Sequence, residues 1–394
     1  MSTTNPIAAH PSLPGHDILV CIFQRGAADG LNAVVPYTDP DYAGLHRPTI
    51  AVPPPVDIND PRYLTAEYAL HPALLPLKPI YNAGDLVLVH ATGVPHQIRS
   101  HFSAQNLIER GVVDKNDPST GWLGRHLALS PPASSSSFRA ISISGNVPVA
   151  LSGAVDPLAI DNLNDFGFDQ GIIDSGYPQV LADLFDNPLP FSGPAGAALA
   201  AMKELQAADL AAIVPENGAI YPANSALANK MRQAAQLIKS QLPVEVICVD
   251  SDGWDHHESL EFYIDQSLDE LAQVMSAFYT DMGASMSRIT VLVYTEFGRR
   301  VAENGSLGTD HGTGSLAYLM GGGVNGGQVI SSWPGLAPAN LEYGEDLKIT
   351  TDLRSVISEL LNKRLGGTNV GTVFPGFSGA TDVNAFLSLS LIHI

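Results

Sequence analysis

Between Val249 and Gly314 the chain concentrates side chains that hold metals. There VDSDGWDHHE, the strand-like ITVLVYTEFGRR and the loop GTDHGTG set Asp250, Asp252, Asp255, His256, His257, Glu296, Asp310 and His311 among glycines. Carboxylate oxygen and imidazole nitrogen are donors that divalent metals take readily. Carboxylates crowded at a strand end repel one another and resist desolvation, so a bound cation is the economical reason for their company. The pattern therefore points to a metal-dependent enzyme. In GWDHHE, Asp255 and His257 stand two apart, so an extended loop presents both to one side and turns His256 to the other. His311, between Asp310 and Gly312 in a loop that runs into the apolar LAYLM, is a further ligand candidate.

Elements must carry these residues. The runs DILVCIFQ (17–24), LVLVH (86–90), AISIS (140–144), VEVICV (244–249), ITVLVYT (289–295) and LAYLM (316–320) read as buried strands. Residues 103–110, 224–241 and 260–282 carry apolar side chains at helical spacing. The alternation predicts an α/β fold, a mostly parallel central sheet with helices on both faces. Ligands of such sheets bind at the carboxyl ends of the strands. The acidic motifs follow strands directly: Asp29 after the first, the 250–257 run after VEVICV, Glu296 after ITVLVYT. Asp29, in RGAADGLN, sits where glycine permits close backbone approach to an ion, and a plain Asp-Gly turn is the simpler alternative. Residues 36–61 and the SPPASSSSF segment are irregular, proline-rich excursions. The whole of 1–394 reads as one domain, with an inserted helical subdomain expected over 152–241.

A second motif, GVPHQIRSHFSAQNLIERG, follows the strand LVLVH and leads into a helix. It places Ser100 or Ser103 near a helix start, where backbone amides favour anions and a nucleophilic hydroxyl could act. The alternative is a serine cap with His96 and His101 as structural groups. Arg25, Arg99, Arg299 and Arg300 flank the acidic motifs, positioned to clamp an oxyanion.

Composition narrows the function. With 394 residues, 45% of them hydrophobic, the chain can bury a large core. A formal charge of -20 opposes nucleic acid and anionic membranes as partners. A metal-filled pocket would still accept a small anionic substrate, because the ion is the largest local charge. No run is long and apolar enough for a membrane span. Cys21 and Cys248 lie inside apolar strands, which predicts buried free thiols. The beginning MSTTNPIAAHPSLPGHD has no secretory pattern, so a cytoplasmic location is expected, or export if the native N-terminus is longer. Gly321, Gly323 and Gly326 match a dinucleotide fingerprint, but QVISSWPG follows instead of a helix. There is neither a Walker A loop nor a GxSxG elbow.

The ordered set RGAADGLNAVVPY, RSHFSAQ with ERG, TGWLGR, VDSDGWDHHE, TEFGRRVAENGSLGTDHGTG, GGGVNGG and TTDLR resembles the DUF1501 family, which is grouped with the alkaline-phosphatase-like superfamily. The resemblance runs from about Asp17 to Phe374. It implies a two-metal phosphatase, sulfatase, phosphodiesterase or phosphomutase core. By position, Asp29 resembles the first acid, Ser100 the nucleophile, Asp255 with His257 the Asp and His pair, and His311 the last histidine. The implied metal set is Asp29, Asp255, His257, Glu296, Asp310 and His311, with Ser100, Arg99 and Arg299 catalytic. One or two divalent ions are implied, zinc foremost, with manganese, calcium or magnesium as alternatives.

The chain departs from the superfamily pattern at Glu296-Phe297, where Asp-His is usual. That removes one imidazole, which Asp310 or His101 replaces unless a single metal binds. The implied activity is hydrolysis of a phosphate or sulfate ester, by a serine nucleophile or metal-activated water, on a small anionic substrate. A metal-stabilised binding or assembly protein, or a metal-dependent redox enzyme, are the alternatives. Many members carry a twin-arginine export signal, and this chain begins without one. The final LSLIHI, Leu389 to Ile394, reads as a translated sequencing adapter and is expected to be non-native.

Overall fold

A computed structural model describes residues 17–114, 118–130, 137–154, 157–163, 165–166, 180, 183 and 192–387. The expected non-native tail, 389–394, lies outside these residues, and the expected insertion over 152–241 lies partly outside them.

Nine described strands form one sheet: β1 (Ile18–Gln24), β2 (Leu86–Gly93), β3 (Ala140–Ser142), β4 (Leu158–Ala159), β5 (Val246–Ser251), β6 (Ile289–Thr295), β7 (Ser315–Gly321), β8 (Gln328–Ile330) and β9 (Thr351–Asp352). Their order is β8-β2-β7-β6-β1-β5-β3-β4, and β9 adds to the end of β2. Pairing is parallel throughout, except that β7 runs antiparallel to both β2 and β6. A separate two-stranded ribbon pairs Val34–Val35 with Ala69–Leu70.

The strands read as continuous apolar runs because both faces are covered. Along β1, Val20 and Ile22 enter one core, while Leu19, Cys21 and Phe23 enter the other. In β6, Val291 and Val293 divide from Leu292 and Tyr294 in the same way. The first core is covered by α3 (Ser192–Ala208), α4 (Ala226–Lys239) and α5 (Leu260–Met282). The second is covered by α2 (Trp122–Leu129) and α6 (Leu353–Lys363). The amphipathic α4 begins at Ser225, whose side chain accepts from the Ala228 amide, and α6 begins at Asp352, which accepts from Arg354 in the same way. The mixed, mostly parallel sheet flanked by helices is the architecture the sequence predicts. Both cysteines are free and buried, paired across β1 and β5 at Cys21 and Cys248.

The sheet has one chemically loaded edge. The carboxyl ends of β1, β2, β5 and β6 meet there, and α1 (His101–Arg110) starts beside it. Because β7 is antiparallel, the loop that enters it reaches the same edge. His311 therefore meets residues that follow parallel strands.

Candidate metal centre

Three loops and one helix start build the centre. After β6 the chain continues through Glu296 to Arg300, turns, and comes back alongside itself. The Gly298 amide donates to Thr313 O at 2.8 Å, Gly312 to Gly298 O at 2.8 Å and Arg300 to Asp310 O at 2.8 Å. This pairing sets Arg299 opposite His311. The β5 loop approaches from the other side and needs two glycines. A Cβ on Gly308 would lie 2.2 Å from His257 backbone atoms, and one on Gly26, at φ +122°, would lie 2.6 Å from the Asp255 nitrogen. Asn304 fastens the loops together, donating to His257 O at 2.9 Å and to Asp310 Oδ1 at 3.2 Å.

The side chains converge. His257 Nε2 lies 2.9 Å from His311 Nε2, and Asp255 Oδ1 lies 3.0 Å from the former and 3.3 Å from the latter. His101 Nε2 lies 3.4 Å from Asp255 Oδ2 and has no hydrogen-bond partner, though it is buried. Ligand atoms of His101, Asp255 and His311 all fall within 4.8 Å of one another. As the alternation of an extended loop requires, His256 turns away, buried against Ser267 of α5.

Each imidazole has its other nitrogen held by oxygen. His101 Nδ1 donates to Glu296 Oε1 at 2.8 Å, and His311 Nδ1 donates to the Arg99 carbonyl at 2.7 Å. His257 Nδ1 lies 3.4 Å from Asp310 Oδ1. Protons held on Nδ1 leave the Nε2 lone pairs of His257 and His311 facing each other and Asp255 Oδ1, with His101 Nε2 turned to Oδ2 of the same carboxylate. Bare lone pairs 2.9 Å apart repel unless a cation or proton lies between them. Around zinc, four donors at about 2.1 Å would stand about 3.4 Å apart, and the three histidine nitrogens lie 3.0 to 3.4 Å from the Asp255 oxygens, so His101, Asp255 and His311 suit a divalent ion, with His257 beside them. Oxygen acceptors on the far nitrogen are the usual device for orienting metal-bound histidines.

Electrostatics agree. Burial pushes the Asp255 carboxyl up, but Arg299 Nη2 at 2.5 Å and the neighbouring histidines outweigh it and hold the group at about 2. The hydrogen bond to Glu296 raises His101, while burial lowers His311. Glu296 is held low despite its burial, by bonds from His101 and Gln105. Phe297, where the resemblance implies a histidine, makes an apolar wall, its ring 5.1 Å from His101 and 5.0 Å from His311.

The residues singled out in the sequence divide into groups. Asp255, His257 and His311 meet, and His101, considered there only as a substitute ligand, joins them. Glu296 and Asp310 stand one layer out, each against a histidine Nδ1. Asp29 is elsewhere. It accepts from the Asn32 amide and pairs with fully buried Arg47 at 2.9 Å, a contact that offsets burial and keeps it ionised. Ser100 is exposed at the start of α1, and its hydroxyl makes no cap hydrogen bond.

The arginines are all engaged. Arg299 donates to Ala27 O, Thr309 O, Gly26 O and Trp254 O besides Asp255, tying the three loops together. Arg99 holds His311 O at 2.9 Å and Asp346, and Arg25 pairs with Glu109 and Asp250.

A family profile described as "Protein of unknown function (DUF1501)" matches residues 86–361. The chain belongs to the DUF1501 family. No curated protein matches it. Among solved structures, this DUF1501 member is similar to the C-terminal periplasmic domain of EcEptC from Escherichia coli, at 11% identity over 95% of this chain and 92% of that one, with a TM-score of 0.38. The zinc complex of that domain gives 11% identity, 95% and 93% coverage, and a TM-score of 0.40. The phosphonate monoester hydrolase of Agrobacterium radiobacter gives 10% identity, 93% and 79% coverage, and a TM-score of 0.29. Among the described residues, no helix is long and apolar enough to cross a membrane.

Proposed function

We propose that this DUF1501 member is a metal-dependent hydrolase of phosphate or sulfate esters. One divalent ion would be held by Nε2 of His101, His257 and His311 and by the Asp255 carboxylate. The observation that supports this most is the set of three imidazoles whose Nδ1 atoms are each turned to an oxygen, leaving their Nε2 atoms against the Asp255 carboxylate. Three nitrogen donors favour zinc over the oxygen-seeking calcium and magnesium. When bound, the ion supplies Lewis acidity and charge stabilisation for ester cleavage.

The protein's own groups do the rest. Arg299 is a positioning residue, fixing Asp255 while tying down the Gly26, Trp254 and Thr309 backbones. Glu296 and Asp310 orient His101 and His257. Phe297 keeps water from the backs of the His101 and His311 rings. Ser100 is the proposed nucleophile: its exposed hydroxyl stands at the start of α1, next to His101, where backbone amides favour the negative charge that develops.

The test is turnover of phosphate, sulfate and phosphonate esters by protein loaded with one equivalent of zinc. Ser100→Ala should lower turnover by orders of magnitude, with Ser103→Ala as control, whereas near-normal turnover in Ser100→Ala would assign the attack to water. No turnover of any such ester by wild-type protein would overturn the hydrolase. A metal-stabilised binding protein is the second reading. It is favoured by one observation: among the described residues, no hydrogen bond joins the Ser100 hydroxyl to the cluster.

A further inference from the structure

The three arginines at the centre are all balanced internally. Arg299 is buried, with its donors directed to four carbonyls and to Asp255. Arg99 is held by Asp346 and by the His311 carbonyl. Arg300 pairs with Glu345 at 2.7 Å and lies 3.8 Å from Asp310. Facing these are the carboxylates of Asp255, Glu296, Asp310, Glu345 and Asp346. Five negative charges against three positive leave two, and one divalent ion brings the sum to zero.

With that ion in place, an incoming anion would meet a neutral centre whose guanidiniums are each ion-paired to a carboxylate, Arg300 through Glu345 with its Nε left without a hydrogen-bond partner. Its first negative charge would be answered by the ion that His101, Asp255, His257 and His311 would hold. A second would lie among carboxylates with no guanidinium that is not already ion-paired, and in a partly desolvated site that repulsion is not screened away. Releasing a guanidinium for it would leave a carboxylate unpaired, in the case of Asp346 a fully buried one. We infer that the centre takes an ester carrying a single negative charge, such as a phosphodiester or a sulfate ester, in preference to a dianionic phosphate monoester. The inference rests on the hydrolase proposed above, and it removes the arginine clamp that the sequence alone suggests.

The experiment compares zinc-loaded protein on bis(4-nitrophenyl) phosphate and 4-nitrophenyl phosphate, at a pH near 8, where the monoester is a dianion. Calorimetric titration with dimethyl phosphate and with inorganic phosphate at the same pH gives a readout independent of turnover. The diester should show at least about tenfold higher kcat/KM, and dimethyl phosphate should bind more tightly than inorganic phosphate. Glu345→Gln, at the half-exposed rim, releases Arg300 and should move both ratios several-fold toward the dianion. Equal or better turnover and binding of the dianion by wild-type protein overturns the inference, as does a Glu345→Gln variant with unchanged ratios. If neither ester is turned over, the hydrolase fails, and the two titrations alone decide the charge preference.

Discussion

Replacing Glu296 by glutamine tests how the centre is held. The carboxylate is buried, and its Oε1 receives His101 Nδ1 at 2.8 Å, Gln105 Nε2 at 2.9 Å and the Gly26 amide at 3.0 Å, while Oε2 receives Thr295 Oγ1 at 2.9 Å. Glutamine fills the same space and keeps one acceptor, so the fold should survive. The loss is the negative charge on the far side of His101, and hydrogen bonds to an ionised acceptor are about twice as strong as neutral ones. Outer partners of this kind are worth about 10- to 100-fold in metal affinity, or roughly 1.4 to 2.7 kcal/mol. Competition against a chromophoric zinc chelator should give an unchanged stoichiometry of one and a Kd raised by that factor. His311→Ala, which removes a donor, should cost more. An unchanged Kd in Glu296→Gln would refute the role given to His101. A loss as large as that in His311→Ala would place Glu296 on the metal itself.

Asp29→Asn should leave zinc stoichiometry intact and lower folding stability by about 3 to 5 kcal/mol in denaturant titration, because Arg47 stays buried without its counter-charge. Lost zinc with intact stability would return Asp29 to the ligand set. Stability should also fall in acid through His90. Its Nδ1 accepts the Ala91 amide at 2.8 Å and its Nε2 donates to Val34 O at 2.9 Å; burial outweighs the opposing pull of the Val34 carbonyl and Asp29 and lowers its pKa to about 4. The unfolded chain takes up a proton near pH 6.5 and the native chain does not. The native state therefore loses about 2 kcal/mol between pH 8 and 5 from this group, about 3 by pH 4 and roughly 3.4 at the limit below it. Urea midpoints of wild-type and His90→Gln protein at both pH values should differ by that amount in their pH dependence.

Much of this could be read from the sequence, and what could not has identifiable causes. The apolar runs gave the strands, because a sheet buried on both faces needs continuous hydrophobic segments. They could not give direction: the periodicity of LAYLM is the same whichever way β7 runs. The two-residue spacing of Asp255 and His257 fixed their common side, since an extended loop alternates. Asp29 followed a strand as a ligand would, yet its partner, Arg47, stands 18 residues on in a proline-rich excursion with no periodicity to mark it. Glu296 and Asp310 have the right chemistry for ligands, and only the placement of the imidazoles turns them into supports. His101 was hidden by Ser100, since a helix start draws attention to the residue that caps it. The engagement of Arg99 and Arg299 by distant backbone carbonyls leaves no trace in composition.

The antiparallel strand has a consequence for how the chain comes to life. β7 lies between β2 and β6, so until Ser315–Gly321 is inserted the sheet is two pieces with facing open edges. Its partners in β2 end more than two hundred residues upstream, which makes this closure a long-range and slow event. The loop just ahead of β7 carries His311, so the last of the proposed ligands arrives with the strand that joins the halves. A nascent or nicked chain lacking β7 would offer sticky strand edges and no complete cage for an ion. Zinc uptake would thus mark the moment of assembly, and a time course of uptake during refolding would follow closure of the sheet and not the earlier formation of its helices.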